Sequence, residues 1–147
     1  MNIYTIGFTQ KTAEQFFETI KDNEIELLVD VRLNNRSQLA GFTKGNDLEY
    51  FLQKLCGTEY IHCDEFAPTK DLLGRYQKGV TSWEEYETEF HEIMERRGAY
   101  KKFLNRFRNF NKVCLLCSEP TANHCHRRLV AEKIKSTDEK SVEIIHL

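Results

Sequence analysis

Two short, nearly unbroken apolar runs, Leu27-Leu28-Val29-Asp30-Val31 and Val113-Cys114-Leu115-Leu116-Cys117, limit what this chain can fold into more than any other feature. Each is too short for a helix and lacks the apolar-polar alternation of a half-exposed strand, so each reads as a strand covered on both faces. Strands of that kind belong to parallel sheets, whose crossover connections supply the covering helices. Helical patterns occur where such a fold needs them: Ala13, Phe16, Phe17 and Ile20 before the first run, and Leu129, Val130, Ala131 and Ile134 after the second.

The remaining elements follow in order. Asn2 to Phe8 alternates and is rich in β-branched and aromatic residues, a first strand, and Thr9 or Thr12 is placed to cap the helix that runs through Asn23. Leu33 to Gly45 is polar and without period, a long loop that includes Asn34, Asn35, Arg36 and Ser37. Leu48, Phe51, Leu52 and Leu55 make a helix ending near Gly57, and Glu59 to Cys63 a third strand. Thr69 caps a helix through Leu72, Leu73 and Tyr76, and Ser82-Trp83-Glu84-Glu85 has the form of a capping box. The stripe Trp83, Tyr86, Phe90, Ile93, Met94 continues past Gly98 through Tyr100, Phe103, Leu104, Phe107 and Phe110, which predicts one kinked helix or two consecutive ones. The last helix runs to about Ser136, and after a turn over Thr137-Asp138-Glu139-Lys140 the segment Val142 to His146 is a final strand. The expected fold is α/β: a single three-layer α/β/α domain over residues 1–147, with a mainly parallel sheet of about five strands whose order the pattern does not specify.

Composition sets the outer bounds. A chain of 147 residues with 40% hydrophobic and 30% charged residues has enough apolar material for one core. A net charge of -2 argues against a strongly basic nucleic-acid surface. No apolar run approaches the ~20 residues of a membrane span, and without a basic leader the expected location is the cytoplasm. The 5 cysteines are then expected as reduced thiols. Glu84 to Glu95 forms an acidic block, followed by the basic Arg96, Arg97, Lys101, Lys102, Arg106 and Arg108, read either as solvated helix faces or as a nucleic-acid track.

Chemistry concentrates around Cys117-Ser118-Glu119-Pro120-Thr121-Ala122-Asn123-His124-Cys125-His126-Arg127-Arg128, where the second run meets the last helix. Ligands of parallel α/β folds bind beyond the carboxyl ends of the strands, where Gly7-Phe8-Thr9, Asp30-Val31-Arg32 and Cys117-Ser118-Glu119 all fall. Asp30 and Glu119 are candidate acid/base carboxylates, each alternatively a loop cap or ion-pair partner. Arg32, Lys70 and Arg127, with the N–H groups opening the last helix, are candidates for holding a carboxylate or phosphate, against a structural network of ion pairs. Strand alternation sends Cys114 and Cys117 to opposite faces, and Cys56, Cys63 and Cys114 read as small buried hydrophobes. Cys125, in the first turn of a helix, is either a thiol activated by the helix N-terminus or a core residue, while Cys117 and His126 complete the candidate catalytic set. Metal binding by Cys117, His124, Cys125 and His126 needs neighbouring residues to converge, whereas neighbours splay apart on a helix, so no metal is expected.

Tyr4-Thr5-Ile6-Gly7, Leu28-Val29-Asp30-Val31-Arg32, the Cys117-Ser118-Glu119 turn and Cys125-His126-Arg127-Arg128-Leu129-Val130-Ala131 together resemble the prokaryotic domain of unknown function DUF488 family. The resemblance spans nearly the whole chain and implies a compact α/β domain without an established activity. Many members carry His and Ser after the first-strand Gly, where Phe8 and Thr9 stand here, and Pro shortly after the D-V-R, where Asn34 stands. If that His acts in relatives, the resemblance implies that His62, His124 or His126 replaces it or that the step is lacking. The residues point first to an enzyme acting on a phosphate-bearing or nucleic-acid-type substrate through a strand-end anion pocket. The alternatives are a non-catalytic nucleic-acid or anion binding module, and a thiol redox or metal-binding protein using Cys117 and Cys125. Cofactor and oligomeric state are not specified.

Overall fold

The computed structural model of the chain describes residues 1–36, 40–138 and 142–147. Ser37 of the expected loop and Glu139 and Lys140 of the expected turn lie outside the described residues. The elements are β1 (Asn2–Gly7), α1 (Ala13–Asp22), β2 (Leu27–Asp30), α2 (Gly45–Cys56), β3 (Glu59–His62), α3 (Lys70–Gln77), α4 (Trp83–Arg97), α5 (Ala99–Phe107), β4 (Lys112–Cys117), α6 (His126–Thr137) and β5 (Glu143–His146). Short 3₁₀ turns at Gly41–Thr43 and Asp64–Phe66 interrupt two connections. The five strands form one all-parallel sheet in the order β3-β2-β4-β1-β5.

Helix boundaries follow local chemistry. Of the two candidate caps it is Thr12 that starts α1: its hydroxyl accepts from the Gln15 N–H, and the Gln15 side chain accepts from the Thr12 N–H at 2.9 Å. Ser82 and Glu85 make the same reciprocal pair ahead of α4. Gly98 takes φ 60°, a left-handed conformation that ends α4, so the long apolar stripe is two helices, α4 and α5.

Strand alternation divides the core into two layers. Tyr4, Ile6, Leu28, Cys114 and Leu116 pack with Phe16, Phe17 and Ile20 of α1 and Leu48 and Leu52 of α2. Ile3, Leu27, Val29, Val113, Leu115 and Cys117 face Leu72 of α3, Phe90 of α4, Phe103 of α5 and Leu129 and Val130 of α6. Cys114 and Cys117 therefore lie on opposite faces, as their odd spacing requires. No helix among the described residues is long and apolar enough to cross a membrane.

This winding positions the site. From β2 the chain passes to α2 on one face, and from β4, its neighbour in the sheet, to α6 on the other. Connections that leave adjacent strands in opposite directions open a crevice at the carboxyl ends of those strands.

Candidate functional site

The connection from β4 to α6 begins as a pinned turn. Both the N–H and the hydroxyl of Thr9 donate to the Ser118 carbonyl, the N–H at 3.1 Å. The guanidinium of Arg127, only 1% exposed, donates from Nη1 to the Glu119 carbonyl at 2.8 Å. Gly7 lies beneath that carbonyl, and a Cβ there would sit 1.6 Å from the Glu119 oxygen. The glycine closing β1 is thus required by close approach of two backbones.

Beyond this turn the chain re-enters helix in an unexpected way. Cys125 precedes α6 as its N-cap residue with extended backbone, φ -135° and ψ 136°, and His126 is the first helical residue. The expectation that Cys125 and His126 splay apart as helical neighbours is thereby corrected: one of them is not helical. Their side chains turn back toward the end of β4, and the donor atoms of Cys117, Cys125 and His126 all lie within 4.8 Å of one another, all buried.

The imidazole is held in one orientation. His126 Nε2 lies 2.7 Å from the Val31 carbonyl, which can only accept, so Nε2 carries a proton, and Cys117 Sγ lies against the ring, 3.6 Å from Nδ1 and 3.8 Å from Nε2. The two thiols differ in kind. Hydrogen bonding from Cys125, aided by Ser118 and the Arg127 charge, draws the Cys117 thiol below its ordinary pKa despite its burial. Hydrogen bonding to Cys117 and burial push the Cys125 thiol well above its own. Of the two readings of Cys125, core residue or activated thiol, its burial matches the first, and the downward shift falls on Cys117 instead.

A cleft of about 260 Å³ opens over this cluster. Cys117, Cys125 and His126 form its floor, Tyr76, Trp83 and Tyr86 an aromatic wall, and Arg32, Asn34, Ser118, Glu119 and His124 a polar margin. Trp83 stacks on His124 with ring centres 5.0 Å apart and on Tyr86 at 5.1 Å, and the Arg128 guanidinium lies 5.9 Å from the Trp83 ring centre.

Residues 12–134 match the model of the domain of unknown function DUF488. The chain belongs to this family. No curated protein and no solved structure matches it. In this DUF488 chain the C-x-E turn and the C-H-R helix start bring Cys117, Glu119, Cys125 and His126 to the cleft, while Arg127 braces the turn from behind. Of the histidines weighed as replacements at the Phe8 position, His124 and His126 line the cleft, and His62 donates from Nε2 to the Arg32 carbonyl at 2.7 Å.

The anion-binding trio does not assemble. Arg32 lines the cleft, but its Nε and Nη2 donate to the two carboxylate oxygens of Asp30 at 2.8 and 2.7 Å, and Nη2 also donates to the Thr43 carbonyl at 2.6 Å. Asp30, fully buried, further accepts from the Tyr60 hydroxyl at 2.8 Å. It serves Arg32 instead of facing the cleft, which is the structural alternative that the strand-end Asp allowed. Lys70, the first residue of α3, is exposed and outside the cleft lining. The basic segment is partly committed as well: Arg97 donates to the Glu65 and Ala67 carbonyls, Arg106 pairs with Glu65, and Arg108 donates to Asn105. Sequence reasoning missed the aromatic wall, because Trp83 and Tyr86 belong to a stripe whose spacing signals only a buried helix face.

Proposed function

We propose that this cleft is an active site in which Cys117 and His126 act on a flat, polar group the size of one nucleobase, carried by a nucleotide or nucleic acid. The observation behind the reading is the Cys117–His126 contact at the floor of an aromatic-walled cleft. At about 260 Å³ the space falls just short of the ~300 Å³ at which pockets begin to enclose drug-sized ligands, which favours a single ring system. His124, an exposed ring stacked on Trp83, marks the geometry in which that wall accepts a heteroaromatic plane. Arg128, 26% exposed and with long ion pairs of 3.6 and 3.8 Å among the described residues, is the cation placed beside that wall for a phosphate. Glu119, exposed on the margin, is the carboxylate available for proton transfer.

Trp83 is the sole tryptophan, so its fluorescence reports directly on the cleft. Titrating nucleobases, nucleosides and mononucleotides is expected to quench it, with Arg128→Gln weakening nucleotides but not free bases. Cys117→Ala is expected to keep binding and lose turnover of whichever compound chromatography shows to be consumed. Absence of quenching by every ring compound, or full turnover by Cys117→Ala, overturns the proposal. Binding without turnover by the wild type assigns the cleft to a binding module instead.

A further inference from the structure

The floor of the cleft has a second property that does not depend on which ligand the cleft takes. We infer that Cys117, Cys125 and His126 are three ligands of a divalent zinc-type ion whose fourth position opens into the cleft. Tetrahedral zinc with thiolate and imidazole ligands places neighbouring donor atoms about 3.5–3.8 Å apart. Cys117 Sγ and His126 Nδ1 are already 3.6 Å apart. All three donors lie within 4.8 Å of one another, so closing on an ion takes a contraction of about 1 Å together with a turn of the His126 ring that aims the Nδ1 lone pair at the thiols, since Sγ now lies nearly equidistant from Nδ1 and Nε2.

Three further observations agree. Nδ1 is the free imidazole nitrogen because Nε2–H is donated to the Val31 carbonyl, the arrangement by which metal-bound histidines are usually oriented from behind. Both sulfur ligands stand on anchored backbone, Cys117 as the last residue of β4 and Cys125 as the cap of α6, so little ordering is left for the ion to impose. Charge also balances: two thiolates and a neutral imidazole cancel a divalent ion, which suits a buried floor where an uncompensated charge is costly. Binding is then an exchange in which one ion enters and two thiol protons leave, with no change in oxidation state. Two thiolates select against magnesium and calcium, which prefer oxygen ligands. All three ligands line the cleft, so the remaining coordination position faces whatever the cleft admits.

The test uses the full chain, purified under reducing conditions and titrated anaerobically with cobalt(II) as a spectroscopic probe. One cobalt per chain is expected, with thiolate-to-cobalt charge-transfer bands in the near ultraviolet, the intense visible bands of a tetrahedral ion, and displacement by one equivalent of zinc. Two protons should be released per ion in weak buffer. Outer-shell partners alone are worth about 10–100-fold in metal affinity, so Cys117→Ser and Cys125→Ser are each expected to weaken zinc by more than that, and Cys56→Ser to leave it unchanged. No stoichiometric uptake, uptake without the thiolate bands, or full affinity in Cys117→Ser overturns the inference. Far-ultraviolet circular dichroism verifies the variants, and if one does not fold the wild-type spectrum and proton count decide alone. Because no organic ligand is present, failure here leaves the nucleobase reading standing, and the converse holds too.

Discussion

Asp30 and Arg32 form the most enclosed ion pair of the described residues, 0% and 4% exposed, and the reason lies in their positions along one strand end. Asp30 closes β2 inside the core, where an isolated carboxylate is untenable, and the chain returns Arg32 two residues later to meet it with two parallel N–H donors. The Arg32 backbone N–H and the Tyr60 hydroxyl complete the carboxylate's partners. Burial and the adjacent Asp30 charge in turn raise the Tyr60 pKa, so its proton stays in place to be donated. Removing one member of such a pair leaves the other charged and buried, at a cost of about 3–5 kcal/mol, whereas replacing both is often close to neutral. Arg32→Met is therefore expected to lose roughly that much in urea unfolding, and Asp30→Asn combined with Arg32→Met to lose less than the single change. A double variant as unstable as the sum of the singles would mean that the two are not coupled.

Among the elements, α4 connects folding to the cleft. Its first residue is Trp83 and its first turn reaches Tyr86, so the capping pair of Ser82 and Glu85 sets the angle at which the aromatic wall meets the floor. Ser82→Ala removes the acceptor for the Glu85 N–H, and about 1 kcal/mol of stability should go with it, read as a shift in urea midpoint. Trp83 fluorescence should change in the folded state of the same variant, since the residue freed from its cap is the reporter itself. An unchanged midpoint would show that packing of Tyr86 and Phe90 alone holds the helix end. The β4–α6 connection follows the same logic in reverse: backbone pins at Ser118 and Glu119 hold the turn, and an extended Cys125 supplies the helix start without a side-chain cap.

Across the whole molecule, two histidines remote from the cleft floor are expected to contribute to the response to acid. Burial lowers the pKa of His91 and of His146 below the ordinary 6.5. Around His91 stand Glu87, Glu95, Glu132 and Lys133, and its Nδ1 lies 2.9 Å from the Tyr100 hydroxyl, while His146 Nδ1 lies 2.6 Å from the Thr5 hydroxyl and is acted on by the positive Arg127. A lowered folded-state value means that the unfolded chain binds more protons, so stability is complete above about pH 6.5 and declines as pH falls through that value. The urea midpoint is expected to drop between pH 7.5 and 5.5, and His91→Gln to flatten the drop; an identical slope in that variant would exclude His91 as a source. The sequence by itself determined the alternation of strands and helices, the capping box at Ser82 and Glu85, the opposite facing of Cys114 and Cys117 and the crowding of chemistry at the end of β4, because each depends on residues close together in the chain. Only the tertiary structure decided the strand order, the withdrawal of Arg127 behind the turn and the meeting of Cys117, Cys125 and His126 beneath Trp83. Those outcomes depend on where separate segments come to rest, and on one backbone conformation, the extended Cys125, that helical periodicity does not encode.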